Sequence, residues 1–361
     1  MNAPRLHDDP RIPAAAGPFF THEYLTYHAV TRQDWIVDRE PVNASIQHGN
    51  DTWPVGPGHV DRFVEPLLSS EMQGQRAFST RWKDLFDCET KYMAWPATPD
   101  GSKPVEPWKV LVLYATEPDT RLDCDLDLHW SQSITQGSHG LRHMGFKLGG
   151  LPFGRLENTF TAHVDMAKKA KARGDGYWAW RYLARALHYL ADMGHPMHVK
   201  VMPTRFLPAV MLRGKQALVN LTMVHNGHEV FVQQRLRDGS DAFLEAMASG
   251  ATKATESTAG FWKEVRSFKK RAARKASPLF RAITSGFGEG LLGIYAGMDR
   301  DSTVDASKRT IDIEPRARDY IFANPDNPVL ETLETLTAGL LEDVVFMSAR
   351  FLDMARDWMD H

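Results

Sequence analysis

Histidines and carboxylates crowd into one stretch of this chain, His188-Tyr-Leu-Ala-Asp192-Met-Gly-His-Pro-Met-His198 followed by His225-Asn-Gly-His-Glu229. His188 and Asp192, and again His225 and Glu229, are four residues apart within segments of helical apolar rhythm. Four residues is close to one helical turn, so each pair leaves a single face and aims at a single point. Imidazole nitrogen and carboxylate oxygen together are the donor set that Zn²⁺ takes at tetrahedral sites. One such pair alone is more often a buried histidine bonded to a carboxylate one turn on. Here the pair recurs on the next helix, and His198 lies just past a helix stop, where the chain can turn back to the same end. Five such residues, in a chain with 15 histidines among 361 residues, point to a divalent-metal centre and to metal-dependent hydrolysis.

An upstream patch has the same chemistry in weaker form: Glu117-Pro-Asp119-Thr-Arg-Leu-Asp123-Cys-Asp125-Leu-Asp127-Leu-His129, then Gly137-Ser-His139-Gly-Leu-Arg142-His143-Met. Its acidic run alternates with apolar residues, as a solvated strand or loop edge does. Beside the helical cluster it also offers a carboxylate and a histidine to complete a coordination sphere.

The elements that must position these groups are mainly helical. The amino-terminal 18 residues, with four prolines, read as an irregular arm, and residues 19–361 as a single helical domain with long loop insertions. A first helix is expected from about Thr21, and helical rhythm again over 60–93, with loop between. Lys109-Val-Leu-Val-Leu-Tyr114 fits a strand or a buried helix equally well, because a short apolar run has no period to read. From 158 the helical pattern is strong: a segment with Lys and Arg on one side, an aromatic stripe from Tyr177 to Leu190 stopped at Gly194-His-Pro196, a helix over 207–236, and a closing helix over 326–359 capped by Asp326 or Asn327.

Composition narrows the setting. Hydrophobic residues are 43%, charged residues 24% and the formal net charge is -2, so nothing global selects nucleic acid or an anionic membrane as partner. Two cysteines, Cys88 and Cys124, do not make a disulfide scaffold. The amino terminus lacks the basic-then-apolar layout of a secretory leader, and no stretch approaches the roughly 18 apolar residues of a membrane span. The expectation is a cytoplasmic protein without a transmembrane segment.

The run Ala186-Leu-His188-Tyr-Leu-Ala-Asp192-Met-Gly-His-Pro-Met-His198 resembles the signature of the zinc-dependent phospholipase C and single-strand-specific nuclease superfamily. That family carries a histidine, a carboxylate four residues on, a Pro-Met or similar pair, and another histidine at these distances. His225 with Glu229 resembles its next ligand pair, Glu117-Pro-Asp119 and Arg142-His143-Met its earlier aspartate and histidine, and Thr21 to Val30 its first helix. The likeness runs from about residue 20 to 236.

What the resemblance implies is an all-α fold around a zinc centre that cleaves phosphodiester bonds. One zinc site would use Asp119, His143, His188 and Asp192, and a second His198, His225 and Glu229. A third would use His22, with Asp192 bridging it to the first. The family completes that third site with an amino-terminal Trp, whereas this chain has none before Trp35, so a third ion would need another donor such as His7 or water. Two zinc ions are therefore expected, with the third dependent on that donor. Asp119 matches the residue proposed in the family as general base. Asp123 and His139 are the fallbacks for Asp119 and His143, while His139, His195 and His228 are read as lying behind the ligands or facing solvent.

The Pro-Met-His198 element favours a phospholipid head group as substrate over single-stranded nucleic acid. The rival from another class is a non-catalytic helical protein with structural zinc. Three protein ligands at the second site leave room for water and favour the enzyme. Downstream, Lys263, Arg266, Lys269, Lys270, Arg271, Arg274, Lys275 and Arg281 read as a solvated helix face, and the Gly-rich run 283–294 as flexible apolar chain of the kind that forms lids.

Overall fold

The computed structural model describes residues 21–43, 104–116, 118, 142–148, 151–200, 214–296 and 313–360. The fold is all-α. The described helices are α1 (Thr21–Val30), α2 (Asp34–Val37), α3 (Pro107–Tyr114), α4 (Leu156–Ala172), α5 (Gly176–Asp192), α6 (Pro196–Val199), α7 (Gly214–Arg237), α8 (Asp241–Glu256), α9 (Phe261–Ala296), α10 (Glu314–Ile321) and α11 (Pro328–Met359). Two antiparallel ribbons accompany them: β1 (Val42–Asn43) with β2 (Pro104–Val105), and β3 (Gly145–Leu148) with β4 (Leu151–Gly154). The arm at 1–18, the helix expected over 60–93, both cysteines, Asp119, Asp123 and His139 lie outside the described residues.

Helix α5 is the axis of the site because it is buried on every side. Residues Tyr177 to Asp192 are all buried along it, and such a helix has no face to give to water. It starts at Asp175, whose carboxylate accepts from Trp178 N at 3.1 Å, a cap that stabilises a helix by about 1 kcal/mol. It stops at Gly194, where a Cβ would overlap the side chains of Val344 and Phe268. The turn into α6 therefore lies tight against α9 and α11. Around α5 pack α4, α3, α1 and α11, and one hydrophobic cluster runs from Tyr24 to Met359.

The apolar run at 109–114 is helix α3. Val110, Leu111 and Val112 are buried in succession, which erases any amphipathic period and explains why the pattern fits a strand equally well. Pro107 at its first turn suits a helix start. Asn327 is the cap of α11, with its side chain accepting from Val329 N at 3.0 Å.

The reading of 283–294 as flexible chain is corrected. Residues 283–294 continue α9, which buries Ile283, Phe287, Leu291 and Tyr295 at four-residue spacing, so the segment is packed helix. Upstream on α9, Lys263, Arg266, Lys270, Arg274 and Arg281 are exposed, as a solvated face requires. Lys269 pairs with Glu157 of α4, and Arg271 with Asp343 of α11 at 2.8 Å.

Candidate metal centre

Asp192, on the last turn of α5, is the hub. Its side chain is 3% exposed and faces four imidazoles: His143 Nδ1 at 2.6 Å, His198 Nδ1 at 3.1 Å, His188 Nε2 at 3.5 Å and His22 Nε2 at 3.8 Å. Each comes from a different piece of sequence. His188 precedes Asp192 by one helical turn; His198 ends the α6 turn that Gly194 presses against the core. His22 is on α1, and its ring stacks on His188 with centroids 3.9 Å apart. His143 enters just before β3. The open end of the hairpin lies beside it, where Gly154, at φ 85°, comes so near the Met144 carbonyl that a Cβ would overlap it.

Burial pushes the Asp192 carboxyl up, but His198, His188 and His143 outweigh it and hold the group well below the usual carboxylate range. Asp192 is therefore an anion at neutral pH. His188 is also fixed in one tautomer. Its Nδ1–H donates to the carbonyl of Ala115, just past α3, at 2.7 Å, and a carbonyl can only accept. The Nε2 lone pair then faces Asp192 Oδ2 and, at 3.2 Å, His143 Nδ1. A backbone carbonyl behind a ligating imidazole is the arrangement that orients histidine toward metals.

A second group lies beyond His198. His198 Nε2 and His225 Nε2 are 2.6 Å apart, and Glu229 Oε1 is 3.3 Å from the same His225 nitrogen. His225 Nδ1 contacts Asn226 Oδ1 at 2.9 Å, which directs its Nε2 inward. One ring nitrogen from each of His195, His198 and His225 lies within 4.8 Å of the other two, and one donor atom from each of His22, His188 and Asp192 is likewise mutually within 4.8 Å. His198, between Asp192 and His225, joins the two groups.

The structure thus brings together His22, His143, His188, Asp192, His198, His225 and Glu229 of the sequence-derived set. Asp119 lies outside the described residues. One assignment changes: His195, expected behind the ligands or facing solvent, has its ring inside the second group, with centroids 4.7 Å from His198 and 5.0 Å from His225. The signal that could have found it is its spacing of three from His198 across a single turn. His228 stands behind His195, contacting it at 3.1 Å and Thr337 Oγ1 at 3.0 Å. Burial, then the nearby imidazoles of His198, His225 and His228, lower His195 well below the ordinary histidine range. Burial and His225 lower His228 to about 3. Both rings are neutral at physiological pH, the form that can ligate a metal.

The donors fit a divalent cation such as Zn²⁺. Nitrogen and carboxylate acceptors converge from several elements, and ring orientation is fixed from behind. In the protein alone a proton on His143 Nδ1 must hold that atom to Asp192 Oδ2. Metal binding displaces such protons, because ligation and deprotonation are coupled. Comparison of the chain with protein families, curated proteins and solved structures finds no match.

Proposed function

We propose that this protein is a zinc-dependent hydrolase of phosphodiester bonds, with a phospholipid head group as the favoured substrate. The observation that carries the reading is the Asp192 carboxylate, buried and anionic, ringed by nitrogens of His22, His143, His188 and His198. A buried carboxylate that needs only one partner does not gather four imidazoles from α1, α5, α6 and the segment before β3. The likeness of Ala186–His198 to the phospholipase C and nuclease signature supplies the reaction class. Zinc held there supplies Lewis-acid activation of water and neutralisation of phosphoryl charge.

The chain's own residues set where a substrate arrives. His188 and Asp192 are 0% and 3% exposed, whereas His22, His225 and Glu229 are 19%, 22% and 41% exposed at their side chains. The solvent edge of the centre is therefore the side bearing these three residues, and an anionic phosphodiester approaches there. Asp192 keeps its charge through the reaction because its imidazole neighbours favour the ionised form. His188 keeps its orientation because Ala115 is backbone. Asp119 remains the proposed general base on the strength of the resemblance alone.

The test is an assay of a phosphatidylcholine analogue and of single-stranded DNA, with and without chelator. Chelator-sensitive release from the lipid analogue, restored by added Zn²⁺, is the expected result. Chelator-sensitive cleavage of DNA alone moves the substrate to nucleic acid. Zinc bound without cleavage of either leaves a metal-stabilised helical protein.

A further inference from the structure

His195, like His228, is a histidine of the cluster whose sequence position gave it no ligand role. Its Nδ1 is buried and has no hydrogen-bond partner among the described residues. Its Nε2 contacts His228 Nδ1 at 3.1 Å, and His228 Nε2 contacts Thr337 Oγ1 at 3.0 Å. A neutral imidazole carries one proton, so the ring must choose. A proton on Nδ1 would leave a buried donor unmade, which costs more than the bond is worth. A proton on Nε2 satisfies the whole line: His195 Nε2–H donates to His228 Nδ1, and His228 Nε2–H donates to the Thr337 hydroxyl. The Nδ1 lone pair is then left free on a ring whose centroid is 4.7 Å from that of His198 and 5.0 Å from that of His225, in a trio where one ring nitrogen of each lies within 4.8 Å of the others.

We infer that His195 is a fourth protein ligand of the second centre through Nδ1, and that His228 and Thr337 are positioning residues that fix its tautomer. The second centre then holds His195, His198, His225 and Glu229, which is the four-ligand complement of a closed tetrahedral zinc site. The expectation of three ligands and an open position there is replaced by a filled one. Water exchange falls to the Asp192 group. Thr337 reaches this role from α11, 109 residues from His228 in sequence, so the closing helix takes part in the metal centre without touching it.

This inference rests on the metal reading above, but its test reads metal and not hydrolysis. The chelator-stripped protein is titrated with Zn²⁺ alone in competition with a chromophoric chelator. The titration covers wild type, His195→Ala, His195→Gln and Thr337→Val. His195 caps α6 without a side-chain hydrogen bond, so its replacement removes no cap. Both His195 variants are expected to weaken one class of zinc site at least 100-fold and to leave the other unchanged. Thr337→Val is expected to weaken the same class about tenfold, the usual effect of losing a partner behind a ligand. Thr337→Val also carries the test if the His195 variants fail to fold. Unchanged affinity in His195→Gln, or in Thr337→Val where the former is unfolded, overturns the assignment. A wild-type chain that binds zinc at both sites yet cleaves no phosphodiester defeats the functional reading and leaves the role of His195 standing.

Discussion

The two halves of the candidate metal cluster are held in different ways. Around Asp192 the support is the fold itself: His188 is aimed by the Ala115 carbonyl at 2.7 Å, and both His188 and Asp192 sit on a helix buried from Tyr177 to Asp192. Around His225 the supports are side chains, Asn226 behind one ring and His228 with Thr337 behind another, and the edge opens to water at Glu229. A backbone carbonyl cannot be removed by substitution without moving α3, whereas each side-chain support can be. The Asp192 half is thus fixed by burial and topology, and the His225 half by residues that can be altered one at a time. If that division is real, substitutions will separate the two halves in metal content as well as in rate.

The largest separation is expected at the hub and at its counterpart. Asp192→Asn and His188→Ala should each lose the ion of the Asp192 half and lower hydrolysis by on the order of 10³-fold or more, since several kcal/mol of charge stabilisation depends on it. His225→Ala should also abolish hydrolysis, yet retain zinc bound by Asp192. Metal analysis of the purified variants, with far-UV circular dichroism to verify helix content, distinguishes these outcomes. Full activity in either histidine variant rules out the assignment; loss of the same ion from both would erase the division. Next in size is Asn226→Leu, which removes the acceptor behind His225. About 10- to 100-fold weaker zinc affinity is expected in the His225 half only, read by competitive titration.

How well the sequence foretold these halves also differs. The Asp192 half was legible because His188 and Asp192 share a helix face and the motif around them is dense. The all-α architecture was legible for the same reason, as 3.6-residue periodicity runs through α4, α5, α9 and α11. Lys109–Tyr114 was not, since the successive burial of Val110, Leu111 and Val112 removes the period. Neither was the continuation of α9 through 283–294, where glycine suggested loop but apolar residues at four-residue spacing decided for helix. For His195 the spacing of three from His198 was the one signal in the sequence, while its contact with His228, and the contact of His228 with Thr337, leave no trace in spacing. Gly194 connects these lessons. Its hydrogen is pressed against Val344 and Phe268, so Gly194→Ala must shift the turn that carries both His195 and His198. A loss of about 1–3 kcal/mol in stability is expected, seen as a lower thermal midpoint, together with weaker zinc affinity in the His225 half.

A last comparison separates the cluster's protonation from that of a bystander. His28 lies on α1 with His22, but its ring is only 6% exposed and packs edge-on to Tyr27 at 5.7 Å. Burial, and then the Arg32 charge, lower it from 6.5 to about 4. A depressed histidine stabilises the fold fully above its unfolded value. That contribution is lost as pH falls from about 6.5 through about 4, because the unfolded chain takes up the proton first. The loss amounts to about 3 kcal/mol if the whole shift is expressed. In chelator-treated protein, denaturant unfolding should therefore weaken over this window, and His28→Phe should flatten the decline. Zinc retention also falls in acid, because the ligand imidazoles must shed protons to bind. That fall should be the same in His28→Phe as in wild type. A shift in metal retention would instead couple His28 to the Asp192 half, and α1 would then carry two residues of the centre in place of His22 alone.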